Sequence, residues 1–155
     1  MRRRLFNLAV VALAVVGLDQ VLKALAQHLL AAGPVPVIPG FFDLVLVYNR
    51  GAAFGSFTWL PRANWVFLGV TLVAVGVALW LALGPSGRRA GVRVSLGLIV
   101  GGALGNMIDR LRLGQVVDFV YLYLGSWHWP AFNLADAAIT VGGVYLAWMM
   151  IRGKA

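Results

Sequence analysis

Asn64–Leu83 is a run of twenty residues without a single charged side chain. At the helical rise it reaches across the roughly 30 Å hydrocarbon core of a bilayer. Lipid offers no water to a bare backbone, so such a segment must close its own hydrogen bonds as a helix. Three further apolar runs, 5–32, 94–111 and 134–151, are long enough to do the same. Of the 155 residues, 61% are hydrophobic and only 12% charged, and the mean hydropathy is +0.87. A soluble domain of this size needs more polar surface than that. The expected fold is a membrane protein, mainly α, with four transmembrane helices in one polytopic domain spanning 1–155.

The segments between the helices predict a small β-element. Gly33-Pro34-Val35-Pro36 cannot continue a helix. Phe41–Tyr48 is β-branched and aromatic, Asn49-Arg50-Gly51 supplies turn residues, and Ala52–Trp59 reads as a returning strand. The β-element is thus expected over 41–59 and 116–124, with Trp127–Pro130 as an aromatic interfacial loop. An open sheet edge cannot lie in lipid, so this element belongs at the membrane surface.

The net charge of +8 is carried in short segments between apolar runs, which makes it a topology signal and not a nucleic-acid footprint. In the four-helix arrangement Arg2, Arg3, Arg4, Arg88, Arg89, Arg93, Arg152 and Lys154 share one side. Arg50, Arg62, Arg110 and Arg112 fall on the other. Both termini are therefore expected in the cytoplasm and the β-element at the extracytoplasmic face. Met1–Arg4 followed by an apolar run, with Ala24-Leu25-Ala26 behind it, also resembles a cleavable leader. The run is nevertheless long enough to span, and Asp19 and Lys23 are spaced four apart for an ion pair on one helical face. An uncleaved first helix is expected.

Five acidic residues are present, all aspartates, and Asp109, Asp118 and Asp136 fall within one stretch of strongly apolar sequence. An ionised side chain at the centre of a bilayer costs about 2.5–3.5 kcal/mol even on a lenient scale. Asp118 lies in the strand-like segment after the third helix and Asp136 in the first turn of the fourth, so a short loop can bring them together. Two carboxylates about 4 Å apart repel by about 4 kcal/mol at an effective dielectric near 20, or about three pKa units. One then holds a proton while the other is ionised, the arrangement of an aspartic protease. Structural readings stand beside this one. Asn133 and Asp136 also fit a helix N-cap with its first-turn acid, and Asp118 also fits a salt bridge to Arg110 or Arg112.

Other chemistries find less support. Without cysteine or glutamate, and with only His28 and His128, neither a thiolate nucleophile nor an HExxH metal site is available, and no metal or other cofactor is expected. Ser126 has no histidine on a facing helix to serve as base. A proton-coupled transporter using Asp19, Asp118 and Asp136 as relay sites is the main alternative. It predicts an internal repeat of helices, which is absent from the two halves.

LDQVLK at Leu18–Lys23, NRGAAFG at Asn49–Gly55, GNMIDR at Gly105–Arg110, VVDF at Val116–Phe119 and PAFNLADAAI at Pro130–Ile139 occur in order along the chain. In these motifs and their spacing the chain resembles lipoprotein signal peptidase (signal peptidase II), a family of bacterial membrane aspartic proteases. The resemblance implies that Asp118 and Asp136 are the catalytic dyad. It implies that Asn49, Gly51, Asn106, Asp109, Arg110 and Asn133 line or support the substrate site, and that Asp19 and Lys23 are structural. It implies an inner-membrane enzyme acting as a monomer on diacylglyceryl-modified prolipoproteins, cleaving just before the lipidated cysteine. Leu22 and Ala137 depart from the hydroxyl residues usual in the family and put a supporting hydrogen bond in doubt at each place.

Overall fold

In the computed structural model residues 2–51 and 63–153 are described. Four helices are long and apolar enough to cross a membrane: α1 (Arg2–Leu29), α2 (Ala63–Leu83), α3 (Ala90–Leu113) and α4 (Leu134–Ile151). A four-stranded antiparallel sheet of order β1-β2-β3-β4 completes the architecture, with β1 at Val35–Ile38, β2 at Phe42–Asn49, β3 at Val116–Leu124 and β4 at Trp127–Phe132. It joins the end of the bundle where α1 and α3 finish and α4 begins.

The third helix is the centre of the bundle, and far more of its span is buried than of the other three. Its glycines explain how it comes so close to two neighbours. A Cβ at Gly97 would stand 2.7 Å from Val11 Cβ, and one at Gly101 would stand 2.7 Å from Val15 Cβ and 2.8 Å from the Ala12 carbonyl oxygen. On the next face, a Cβ at Gly102 would collide with the Ala135 carbonyl. From α4, Gly142 presses on the Ser95 carbonyl in the same way. With lipid as apolar as the helices themselves, backbone approach through small residues is what holds such helices together. Further along, Leu8 and Ala12 of α1, Ala78 and Ala82 of α2, Val92, Leu96 and Val100 of α3 and Met149 of α4 form the main apolar core.

The helix ends follow local chemistry. The first helix stops at Leu29, short of the expected Ala32, as the chain turns into Gly33-Pro34. The third starts at Ala90, four residues earlier than expected, because Arg93 bonds back to the Arg89 carbonyl and prolongs the spiral. It ends where Gly114 takes up a left-handed conformation (φ +71°) and donates to the Arg110 carbonyl.

The sheet is larger than the sequence predicts. Strand β2 pairs with β1 on one side and with β3 on the other, placing Val47 opposite Asp118 and Asn49 opposite Val116. The expected returning strand Ala52–Trp59 lies outside the described residues. Trp127–Pro130, expected as a loop, belongs to β4, which pairs Trp127 with Leu124 and Trp129 with Leu122. Both unforeseen strands contain proline, and both are edge strands among the described residues, the places in a sheet where proline is tolerated. Gly125, at φ +59°, supplies the turn between β3 and β4. Phe119 packs with Ala26 and Leu30, seating the sheet on the end of α1.

Gly102→Val drives a branched side chain into the α4 backbone, which cannot swing aside. Overpacking of this kind costs about 1–3 kcal/mol. The expected outcome is a lower unfolding midpoint in detergent than for the wild type, measured by thermal melting of the purified protein.

Candidate active site

Asp118 and Asp136 both face one cavity of about 430 Å³, bounded by α2, α3, α4 and the sheet. Strand β3 carries Asp118 in from one side, and the first turn of α4 brings Asp136 from the other. Asn133, fully buried, links the two. Its Nδ2 donates to Asp118 Oδ1 at 2.7 Å and to the Val117 carbonyl at 3.2 Å. Its Oδ1 accepts the Asp136 backbone N–H at 2.9 Å, while Asp136 Oδ2 accepts the Asn133 N–H at 3.2 Å. That reciprocal pair is a capping box at the start of α4. The structural and the chemical readings of Asn133 and Asp136 are therefore compatible, since one arrangement serves both.

Each carboxylate has a second amide donor. Asn49 Nδ2 reaches Asp118 Oδ2 at 3.0 Å from β2, and Asn106 Nδ2 reaches Asp136 Oδ1 at 2.7 Å from α3. Asp118 is 1% exposed. Burial, followed by the negative field of Asp136, pushes its carboxyl up to about 7, against the bonds from Asn49 and Asn133 that favour the charged form. Its hydrogen-bond partners among the described residues are these two amides, and not Arg110 or Arg112 as the salt-bridge reading has it.

Arg110 also lines the cavity. Its guanidinium lies 4.5 Å from the centre of the Phe67 ring and donates to the Gly51 carbonyl at 3.2 Å and the Asn106 carbonyl at 3.4 Å. The Asn49-Arg50-Gly51 turn is held by the Gly51 N–H on Asn49 Oδ1 at 2.9 Å. Asn49, Gly51, Asn106 and Arg110 thus share the cavity with both carboxylates.

Asp109 does not. Its Oδ2 lies 2.8 Å from Lys23 Nζ and accepts the Val117 N–H at 3.1 Å, and its Oδ1 accepts from Gln20 at 3.0 Å. It does not line the cavity but braces α1, α3 and β3, the supporting side of the expected role. Asn133 likewise sits behind the cavity wall. The helical period explains the division. Gly97, Gly101 and Gly105 face α1, and Asp109 is the next residue in that four-residue series. Gly102, Asn106 and Arg110 form the adjacent stripe, which faces α4 and the cavity.

The ion pair expected between Asp19 and Lys23 is present at 2.8 Å, with both side chains almost fully buried. Asp19 Oδ1 also accepts the Ala135 N–H at 3.0 Å, so a residue of α1 caps α4. Several participants went unnoticed in the sequence. Gln20 donates to Asp109 and to the Gly105 carbonyl and accepts from Arg112. Its place directly after Asp19 in the LDQ motif was the available signal. Phe67 and Thr140 also line the cavity, and no motif singled them out in the sequence.

Four membrane-length helices thus bring two carboxylates to one cavity, the arrangement that paired-carboxylate hydrolysis requires. The model of the family described as "Signal peptidase (SPase) II" matches residues 11–152, and the chain belongs to that family. It is 48% identical over 144 residues to a lipoprotein signal peptidase of Paraburkholderia phytofirmans, covering 92% of this chain and 83% of the relative. A lipoprotein signal peptidase of Burkholderia cenocepacia is 46% identical, with 92% and 86% covered. Two solved structures, both described as a bacterial membrane enzyme, share the fold. One has TM-score 0.84 at 28% identity, covering 94% of this chain and 88% of its own. The other has TM-score 0.79 at 27% identity, covering 91% and 90%. The protein is accordingly a multi-pass membrane enzyme of the aspartic, signal peptidase II type.

Asn133→Ala removes the α4 cap and one donor to Asp118 together. Loss of a cap alone costs about 1 kcal/mol. Thermal melting is expected to show a clear fall in midpoint, larger than for Asn49→Ala, which leaves the cap intact.

Proposed function

We propose that this enzyme removes signal peptides from diacylglyceryl-modified prolipoproteins, cutting the amide bond just before the lipidated cysteine, with Asp118 and Asp136 as the catalytic dyad. The observation that carries the reading is the convergence of the two carboxylates on one cavity, each held by amide donors and joined through Asn133. The charge distribution supports both termini in the cytoplasm, the sheet at the extracytoplasmic face of the bacterial inner membrane, and the cavity near the outer lipid boundary.

In the mechanism Asp118 holds the proton at rest, consistent with its burial beside Asp136. A water between the carboxyls loses a proton to Asp136 as its oxygen adds to the scissile carbonyl carbon. The developing oxyanion is stabilised by the Asp118 hydroxyl. Collapse of the tetrahedral intermediate breaks the C–N bond, and the departing cysteine nitrogen takes the proton that Asp136 received. The products are the carboxyl end of the signal peptide and the free amine of the lipidated cysteine. Asn49, the Gly51 backbone and Arg110 lie where they can hold an extended substrate segment. Such a segment leaves its scissile amide open to attack, whereas one in a helix is already hydrogen-bonded.

A gel-shift assay on a diacylglyceryl-modified precursor tests this directly. Asp118→Asn and Asp136→Asn are each expected to lower cleavage by at least about 10²–10⁴-fold, the range of general acid–base transfer, while the variants still insert and melt cooperatively. Wild-type cleavage by either variant refutes the dyad. The proton on Asp118 also sets a pH dependence. Below about pH 7 the carboxyl is protonated and competent, and above it the proton is lost. The profile of kcat/KM against pH is expected to fall on its alkaline side, with an apparent pKa near 7.

A further inference from the structure

Lys23 is a buried cation that the proposed mechanism does not use. It is 2% exposed, and among the described residues none of α1 lines the cavity. Its ammonium has three donors and no acceptor. They are directed at Asp19 Oδ2 at 2.8 Å, Asp109 Oδ2 at 2.8 Å and Asn106 Oδ1 at 2.9 Å. The first two bonds explain why a lysine is tolerated there. The third bears on the chemistry.

An asparagine side chain has an acceptor end and a donor end, and either can be turned toward a neighbour. Here the choice is forced. Asn106 Oδ1 accepts from Lys23 Nζ and also from Asn133 Nδ2 at 3.1 Å. A flipped amide would set N–H against an ammonium and another amide N–H, and would point its oxygen at the Asp136 carboxylate. With the oxygen held by the ammonium, Nδ2 must face Asp136 Oδ1, where it lies at 2.7 Å. We infer that Lys23 is a positioning residue for the reaction: acting through Asn106, it fixes the amide orientation that presents Asp136 to the attacking water. This deepens the reading of Asp118 and Asp136 as the dyad and rests on it.

The inference assigns Lys23 an effect on turnover and not only on folding. Its loss frees Asn106 to rotate and weakens one hydrogen bond to a charged group, so kcat is expected to fall about ten- to hundredfold with KM little changed. Lys23→Met alone leaves Asp19 and Asp109 as unpaired buried charges and risks unfolding. Lys23→Met with Asp109→Asn keeps the net charge of the cluster unchanged, since one positive and one negative charge are removed together. Asp109→Asn by itself is the reference.

A double-mutant cycle decides the route. If Lys23 works through Asn106, the Lys23→Met change costs kcat in the Asn106 background and nothing further once Asn106→Leu is present. Additive losses, or an unchanged kcat per folded molecule in the charge-balanced variant, overturn the inference. Asn106→Asp provides an arm that does not touch the lysine. Lys23 keeps an acceptor and both ion pairs, but the Asn106 donor to Asp136 Oδ1 is replaced by a carboxyl oxygen while the Asn133 N–H stays on Oδ2, and kcat per folded molecule is expected to fall at least about tenfold. Wild-type turnover by that variant also overturns the inference. The Asp118→Asn and Asp136→Asn enzymes run in the same assay separate the two failures. Activity in those enzymes refutes the dyad, whereas their inactivity with normal turnover in the Lys23 and Asn106 variants refutes only the role of Lys23.

Discussion

The first turn of α4 begins inside protein, beside a cavity, with backbone N–H groups that the helix cannot satisfy by itself. The site is built from the groups that satisfy them. Asn133 accepts the Asp136 N–H and Asp19 accepts the Ala135 N–H. Each of these acceptors has further bonds, and those bonds reach the rest of the bundle. From Asn133 they lead to Asp118 on β3 and to Asn106 on α3, and from Asp19 to Lys23 and so to Asp109. Capping a helix and orienting two carboxylates are one arrangement here. A polar network buried this deeply is stabilising only when every member is partnered, which ties the proposed dyad and folding to the same residues.

The network is possible because α3 stands close to two helices at once. Its glycine series against α1 stops at Gly105, where a Cβ would come within 2.7 Å of Asp19 Oδ2. One turn later the same stripe presents Asp109 to Lys23. The neighbouring stripe passes from Gly102, pressed against the α4 backbone, to Asn106 and Arg110 in the cavity. Small residues in the lipid-spanning half of the helix therefore set the distance at which polar residues meet in the other half. The sheet closes that end. Asn49 on β2 and Asp118 on β3 are brought together by antiparallel register, and the Val117 N–H on Asp109 anchors β3 beside α3.

Much of this was legible in the residues. Apolar runs of membrane length predict helices because the bilayer leaves the backbone no other way to bond. Asp118 and Asp136 stood out because ionisable groups are costly in apolar surroundings, and a short connection made their meeting plausible. The edge strands β1 and β4 were not legible. Their prolines argue against a ladder position, and only the finished sheet places both strands at its edges, where proline is tolerated. The GNMIDR motif implied only that Asp109 lines or supports the site, and the structure shows it bonded to Lys23 and Val117. The four-residue spacing from Gly97 through Gly105 to Asp109 contained the answer, but it needed the knowledge that this stripe faces α1.

Chain chemistry alone determined the membrane environment, the helices and the identity of the acids on which hydrolysis would depend. These follow from solvation, which acts on each segment separately and can be read one segment at a time. The tertiary structure decided which face of α3 sees the cavity, which amide holds which carboxylate, and that Asn106 lies between Lys23 and Asp136. Those outcomes depend on the rotation and separation of packed helices, set jointly by contacts among α1, α3 and α4 that are distant in the chain.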